Sequence, residues 1–278
     1  MSDIRRILVA LDASPHSLAA LEAACGLARR LEAELLGLYV EDINLIRLAA
    51  HPCATTFSLA CPPGRPVGDD DILTRALRLQ GAAARRALDE AAARARVTAR
   101  FSQRQGRVEA EVLAAAEEAD LLVIGWTGRA IVPARSRAGS VARAVARDAR
   151  ASVLVLQRDL AEGGPVMLLY DGSETAERAL AVAMTLARRD GGEVAVLLLA
   201  ETPRRATELE RSVESRMSEA GLSGRYQMLP KADAALIRRA VGLVPGGVLV
   251  AGVGMPALAE GGAESLLDDL GCSVVLVK

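Results

Sequence analysis

The stretch Ile7-Leu8-Val9-Ala10-Leu11-Asp12-Ala13-Ser14-Pro15 decides the fold. Five apolar residues in a row, closed by an aspartate and a serine, read as a buried strand running into a polar turn. Leu18, Leu21, Cys25 and Ala28 follow at helical spacing, with Ser14 as N-cap and Pro15 at the first helical position, where proline is tolerated. Shifted by 159 positions the pattern returns as Val166-Met167-Leu168-Leu169-Tyr170-Asp171-Gly172-Ser173. Leu180 then stands for Leu21, and Leu186-Ala187-Arg188-Arg189 for Leu27-Ala28-Arg29-Arg30. A match at one fixed offset is an internal duplication of a strand, turn and helix.

Outward from this unit, the first copy predicts further strands over 34–40, 97–104, 120–125 and 152–157, separated by helices near 70–95, 107–119 and 139–149. The second copy predicts strands near 165–170, 193–199, 225–229, 247–252 and 273–277. Near-continuous apolar runs such as Leu121-Leu122-Val123-Ile124 are typical of strands covered on both faces. Strands alternating with helices imply an α/β class: two tandem open, mostly parallel five-stranded sheets with helices on both faces, Rossmann-like. The expected domains are 1–160 and 161–278, joined by a polar linker at Asp159–Gly164. The edges Val153–Leu156 and Val274–Val277 are candidates to join the halves as a pseudo-dimer within one chain, with a homodimer of whole chains left open.

Composition narrows the function. The chain has 278 residues, enough for two full cores. It is 51% hydrophobic and 25% charged, so it reads as ordinary globular protein. A net charge of −1 leaves no global basic footprint for nucleic acid or an anionic membrane, and 2% aromatics argue against base-stacking platforms. Lys231 and Lys278 are the only lysines and neither lies in a glycine-rich loop, which excludes a Walker phosphate loop. Two histidines cannot build an H-E-x-x-H zinc helix, and Cys25, Cys53, Cys61 and Cys272 form neither a C-x-x-C pair nor a disulfide framework. Met1–Arg6 runs into a strand without a signal-peptide core, and no run of 18 apolar residues occurs, so a cytoplasmic location is expected.

Ile43–Gly68, with four prolines at 52, 62, 63 and 66, reads as a long excursion without a clear period. Its apolar residues, Leu45 and Phe57 among them, favour a cover for the domain or a partner over a metal site at His51, Cys53 and Cys61. Asp69-Asp70-Asp71 beyond it reads as a helix N-terminus favoured by the macrodipole.

In an open α/β sheet the ligand sits outside the carboxyl ends of the strands. The residues there in the first half include Asp12-Ala13-Ser14, Val40-Glu41-Asp42 and the stretch from Gly125-Trp126-Thr127-Gly128-Arg129 to Gly139-Ser140. Gly125 and Gly128 let backbone N–H groups approach an anion, Gly139-Ser140 opens a helix whose N-terminus favours phosphate, and Arg129, Arg135 and Arg137 add positive charge. Each has a bland alternative: Asp12 as a turn cap, the glycines as tight turns, and the arginines as solvated surface charge.

This arrangement resembles the universal stress protein family over nearly the full chain, as two tandem copies. Gly125, Gly128, Gly139 and Ser140 are similar to that family's G-x2-G-x9-G-[S/T] nucleotide motif, with ten residues instead of nine between Gly128 and Gly139. The resemblance implies an adenine-nucleotide site for ATP, with or without Mg2+. Asp12 and Ala13 would lie at the ribose end, Val40 would meet adenine through its backbone, and Gly125, Gly128, Arg129, Gly139, Ser140 and Val141 would cradle the phosphates. It further implies a stress-response or regulatory role with slow or no hydrolysis, and no catalytic or metal-binding residue is assigned. In the second copy, only nine positions separate Gly252 from Gly261, against fourteen from Gly125 to Gly139, and Glu260 would repel a triphosphate. The expectation is one working site and one that has decayed. A scaffold that binds a partner or a small apolar ligand through 43–68 is the competing reading. An adenylating enzyme of the related PP-loop type lacks its S-G-G-x-D-S signature here, and dinucleotide oxidoreduction lacks G-x-G-x-x-G after the first strand. Residues 1–160 carry 22 basic and 19 acidic side chains and 161–278 carry 12 and 16, so the positive half is the one with the glycine loop.

Overall fold

The computed structural model describes residues 4–49, 55–56, 65–66, 70–127, 138–157, 164–188, 192–230, 234–244, 247–255, 267, 270 and 272–278. In the first half, β1 (Arg6–Leu11) is followed by α1 (Pro15–Leu31), β2 (Glu34–Asp42), α2 (Ile43–Ala49) and the short strands β3 (Thr55–Thr56) and β4 (Arg65–Pro66). Then come α3 (Asp70–Ala95), β5 (Ala99–Gly106), α4 (Val108–Ala116), β6 (Leu121–Gly125), α5 (Ser140–Asp148) and β7 (Ser152–Leu156). The second half runs β8 (Val166–Tyr170), α6 (Glu174–Ala187), β9 (Glu193–Leu199), α7 (Pro203–Glu219), β10 (Ser223–Leu229), α8 (Ala234–Gly242), β11 (Val248–Gly252) and β12 (Ser273–Val277).

Local chemistry sets the ends of the repeated helix. Ser14 Oγ accepts the Ser17 N–H at 3.2 Å ahead of Pro15, and α1 stops where Glu32 turns left-handed at φ 54°. Ser173 caps α6 in the same way, accepting from Ala176 N–H at 3.2 Å.

The ten main strands form one sheet in the order β10-β9-β8-β11-β12-β7-β6-β1-β2-β5. Within each half every pairing is parallel, while β12 meets β7 antiparallel, with Val274 opposite Val155 and Leu276 opposite Val153. Two sheets of identical order thus join edge to edge about an approximate twofold axis. Every residue of β6, β8, β11 and β12 is buried, which is why these strands read as unbroken apolar runs. Right-handed crossovers put α1 and α3, which pack together, on one face, and α4 and α5 on the other.

The outer strands β5 and β10 alternate in exposure and carry charge. Arg100 pairs with Glu34 at 2.6 Å, and Arg225 pairs with Glu193, the repeat equivalent of Glu34, also at 2.6 Å. These exposed pairs add little stability, but charge on an open edge discourages further strand pairing.

The excursion after β2 differs from its sequence reading. Residues 43–49 form a helix, begun where Asp42 Oδ1 accepts the Asn44 N–H at 2.8 Å, and Thr55–Thr56 pairs antiparallel with Arg65–Pro66. His51, Cys53 and Cys61 lie outside the described residues, as does most of the expected linker. Among the described residues no helix is long and apolar enough to cross a membrane, and no group of three metal-ligating side chains gathers.

Candidate functional site

Strand order reverses direction between β1 and β6, and a crevice opens there because β1 stops short. Its ladder with β2 ends at Leu11 opposite Tyr39, and its ladder with β6 ends at Val9 opposite Val123, whereas β2 continues to Asp42 and β6 to Gly125. Val40, Glu41 and Asp42 therefore have no β1 partner on the crevice side. A cavity of about 350 Å³ occupies this position, within the roughly 300–1,000 Å³ usual for small-ligand sites.

Its walls combine several elements. Leu38, Tyr39 and Val40 come from β2, Leu77 and Gln80 from α3, and Val108 and Val112 from α4. Asp12, Ser17, Asp42 and Leu45 add to the lining, and Gly125, Trp126 and Thr127 join it with the start of α5. Most of this surface is apolar.

The α5 end offers backbone donors that suit an anion. Gly139 is the N-cap, with φ −62° and ψ 160° and no side-chain cap. Its own N–H is used on Trp126 O at 2.9 Å, while Trp126 N–H donates to Leu156 O at 2.8 Å. The first bond closing a turn of α5 is Arg143 N–H to Gly139 O at 3.1 Å. Ser140, Val141 and Ala142 thus present first-turn N–H groups without an acceptor inside the helix, and all three line the cavity. His16 Nδ1 lies 3.2 Å from Thr127 Oγ1 at the same end.

Sequence reading assigned roles that the geometry refines. Asp12 lines the cavity, yet its Oδ1 accepts Ser14 N–H at 2.9 Å, and Asp171 Oδ1 accepts Ser173 N–H at the same distance in the second half. One carboxylate oxygen is therefore part of the turn in both copies. Ala13 sits at φ 58° between Asp12 and Ser14 and does not line the cavity; its counterpart Gly172 has φ 81°.

Gly125 reaches the wall, but its lack of a side chain has another cause. A Cβ there would stand 2.8 Å from His16 O, and at Gly252 in the second half it would stand 2.7 Å from Thr175 O. Both glycines let the first turn of a helix lie directly on a strand end. Gly139 likewise spends its N–H on Trp126, so the anion-facing donors are the three residues after it. Gly128 and Arg129, with Arg135 and Arg137, lie outside the described residues.

Tyr39, Leu77, Gln80, Val108 and Val112 line the cavity without having been singled out by the sequence. Leu77 and Gln80 share a helix face at i, i+3 spacing, which was the one signal available.

The second half treats the equivalent turn differently. A Cβ on Gly172 would lie 2.6 Å from Leu209 Cδ2 and 3.0 Å from Arg205 Nη2, so side chains of α7 cover it. The ends of α3 and α7 and the starts of β5 and β10 both differ by 124 positions, which makes Gly81 the counterpart of Arg205. Where arginine covers the turn in the second half, the first half has a glycine packed on Tyr39. Nearby, Glu177 accepts from the Tyr170 hydroxyl and pairs with Arg216.

Known proteins agree with this architecture. A universal stress protein from Archaeoglobus fulgidus DSM 4304 superposes with a TM-score of 0.72 at 18% identity, covering 98% of each chain. A structure described as a universal stress protein from Pseudomonas aeruginosa UCBPP-PA14 gives 0.59 at 17% identity, over 100% of this chain and 94% of that one. At such identities the likeness speaks for the fold. No curated protein sequence matches. The model of the universal stress protein family matches residues 3–52 and 57–157, more than half of the sequence. Carrying that match in its first half and the same strand order again in its second, the chain belongs to the universal stress protein family in a tandem arrangement.

Proposed function

We propose that the first half binds ATP, with or without Mg2+, in the crevice between β1 and β6, and that the nucleotide serves as a regulatory signal in a stress response. The observation that carries this reading is the convergence of two backbone features on one cavity: the N–H groups of Ser140, Val141 and Ala142, which have no acceptor among the described residues, and the edge of β2 from Val40 that has no β1 partner. The first suits phosphate and the second suits a planar base. Asp12 and Ala13 then border the ribose, and Gly125, Gly128, Arg129, Gly139, Ser140 and Val141 form or shape the phosphate end. The Asp12 carboxylate and the Ser140 hydroxyl are hard oxygen donors of the kind that suits Mg2+.

Hydrolysis is slow or absent in this reading. Among the described lining residues there is no histidine or glutamate to act as general base, and Asp12 is engaged in its turn. The second half, with Arg205 and Leu209 over Gly172, contributes packing or regulation.

Heat extraction of the purified protein followed by chromatography tests the proposal. Retained adenine nucleotide supports it; no retained nucleotide together with no binding at millimolar ATP refutes it. A scaffold reading has one feature in its favour, the 45% exposure of Leu45 on the cavity rim. Gly128→Glu abolishes nucleotide binding under the first reading and leaves partner capture intact under the second, while deletion of 43–68 does the reverse.

A further inference from the structure

Resting on the reading of the cavity as an adenine-nucleotide site, we infer that Gln80 reads the base: it selects a purine with an exocyclic amine over one with an oxo group at that position. The inference starts from Tyr39, which is only 2% exposed and whose ring is held under α3. A Cβ on Gly81 would already lie 3.0 Å from Tyr39 Cδ1 and Cε1, so the helix rests on the ring and the hydroxyl has a fixed position.

That hydroxyl has one hydrogen, and two acceptors lie within its reach. Leu77 O is 2.9 Å away and Gln80 Oε1 is 3.3 Å away. One hydrogen satisfies one acceptor well, and the shorter contact takes it. The oxygen and nitrogen of an amide are interchangeable in shape, so turning the Gln80 amide removes the meeting of oxygen with oxygen at Tyr39. Its NH2 then donates to Tyr39 Oη, and its carbonyl faces the cavity that Gln80 lines.

Asp42 lines the same cavity, and its carboxylate is acceptor-only. Two acceptors beside the apolar Val40, Leu45 and Leu77 match a donor edge. An exocyclic amine supplies two N–H donors there. An oxo group would set lone pair against lone pair and leave the Gln80 carbonyl without a hydrogen, the situation in which polar sites discriminate most strongly.

Calorimetric titration of the full chain with ATP, ITP and GTP is the test, because ATP and ITP differ at this position only by amine against oxo. Wild type binds ATP at least roughly tenfold more tightly than ITP or GTP. Gln80→Leu brings ATP down to the ITP value and leaves ITP within about twofold; Tyr39→Phe frees the amide to turn and narrows the ratio of ATP to ITP to below about threefold. Equal loss of ATP and ITP in Gln80→Leu, or an unchanged ratio in both variants, overturns the inference. Wild type that binds ATP and ITP equally overturns it while sparing the nucleotide reading. Wild type that binds none of the three overturns both.

Discussion

Lys278 Nζ donates to the carbonyl oxygen of Ala146 at 2.8 Å, so a side chain of the second half caps a helix of the first. The carbonyl of Arg147 is its second acceptor, at 3.1 Å. A cation at the end of α5 complements the helix dipole, whose other end faces the cavity. Lys278→Met should therefore cost about 1 kcal/mol at neutral pH, measured by urea unfolding. Burial lowers the Lys278 pKa below its ordinary 10.5, with Asp148 opposing the shift. In the window below 10.5 the folded chain thus binds fewer protons than the unfolded one, and this contribution to stability rises with pH. The gap between wild type and Lys278→Met should widen from pH 7 towards pH 10.

Gly125→Ala and Gly252→Ala should behave alike. Each puts a Cβ within 2.8 Å of a helix carbonyl oxygen, His16 O in one case and Thr175 O in the other. Each should destabilise the fold by about 2 kcal/mol in chemical denaturation. Gly252→Ala should leave nucleotide affinity unchanged, which separates the packing role of this glycine from any part in the ligand site.

Ser140→Pro isolates one anion-facing donor. Ser140 is the first residue of α5, where proline fits, and the preceding Gly139 already has the extended ψ of 160° that proline requires of its neighbour. The variant should melt within about 2 °C of wild type and bind ATP about tenfold more weakly, through loss of one charge-assisted N–H bond and the hydroxyl. Calorimetry and thermal unfolding read the two effects separately.

Cys25 should resist thiol reagents. It is 2% exposed within α1, and its pKa is pushed up to about 11, chiefly by burial and secondarily by Glu22, with Arg94 opposing. At pH 8 an aromatic disulfide reagent should leave Cys25 unmodified until denaturant is added, as peptide mapping would show. The raised value also means that the stability it contributes is complete below its ordinary pKa of 9.0 and is lost as pH climbs from there towards 11.

Legibility differed along the chain for physical reasons. Strands β6, β8, β11 and β12 are buried on both faces, so selection for apolar residues wrote their positions almost without interruption. The recurrence of Asp12 as Asp171 located the turn in both copies, although the residue alone could not show that Oδ1 serves the turn. Helix α2 was obscured because seven residues hold barely two turns within a proline-bearing stretch; Asp42 as its capping acceptor was the readable cue. Gly125 stayed ambiguous because a glycine needed for helix packing and one needed for an approaching phosphate look identical in sequence, and it both lines the cavity and packs on His16 O. Tyr39, Leu77 and Gln80 escaped notice because their meeting depends on which side of a 26-residue helix lies over β2.

Amide chemical-shift mapping during an ATP titration of the intact chain tests the central claim most directly. The account predicts saturable shifts at Ser140, Val141 and Ala142 at one end of the cavity and at Val40 at the other, with Asp171, Gly172 and Ser173 unmoved. Absence of shifts at millimolar ATP, or shifts confined to the second half, would contradict it.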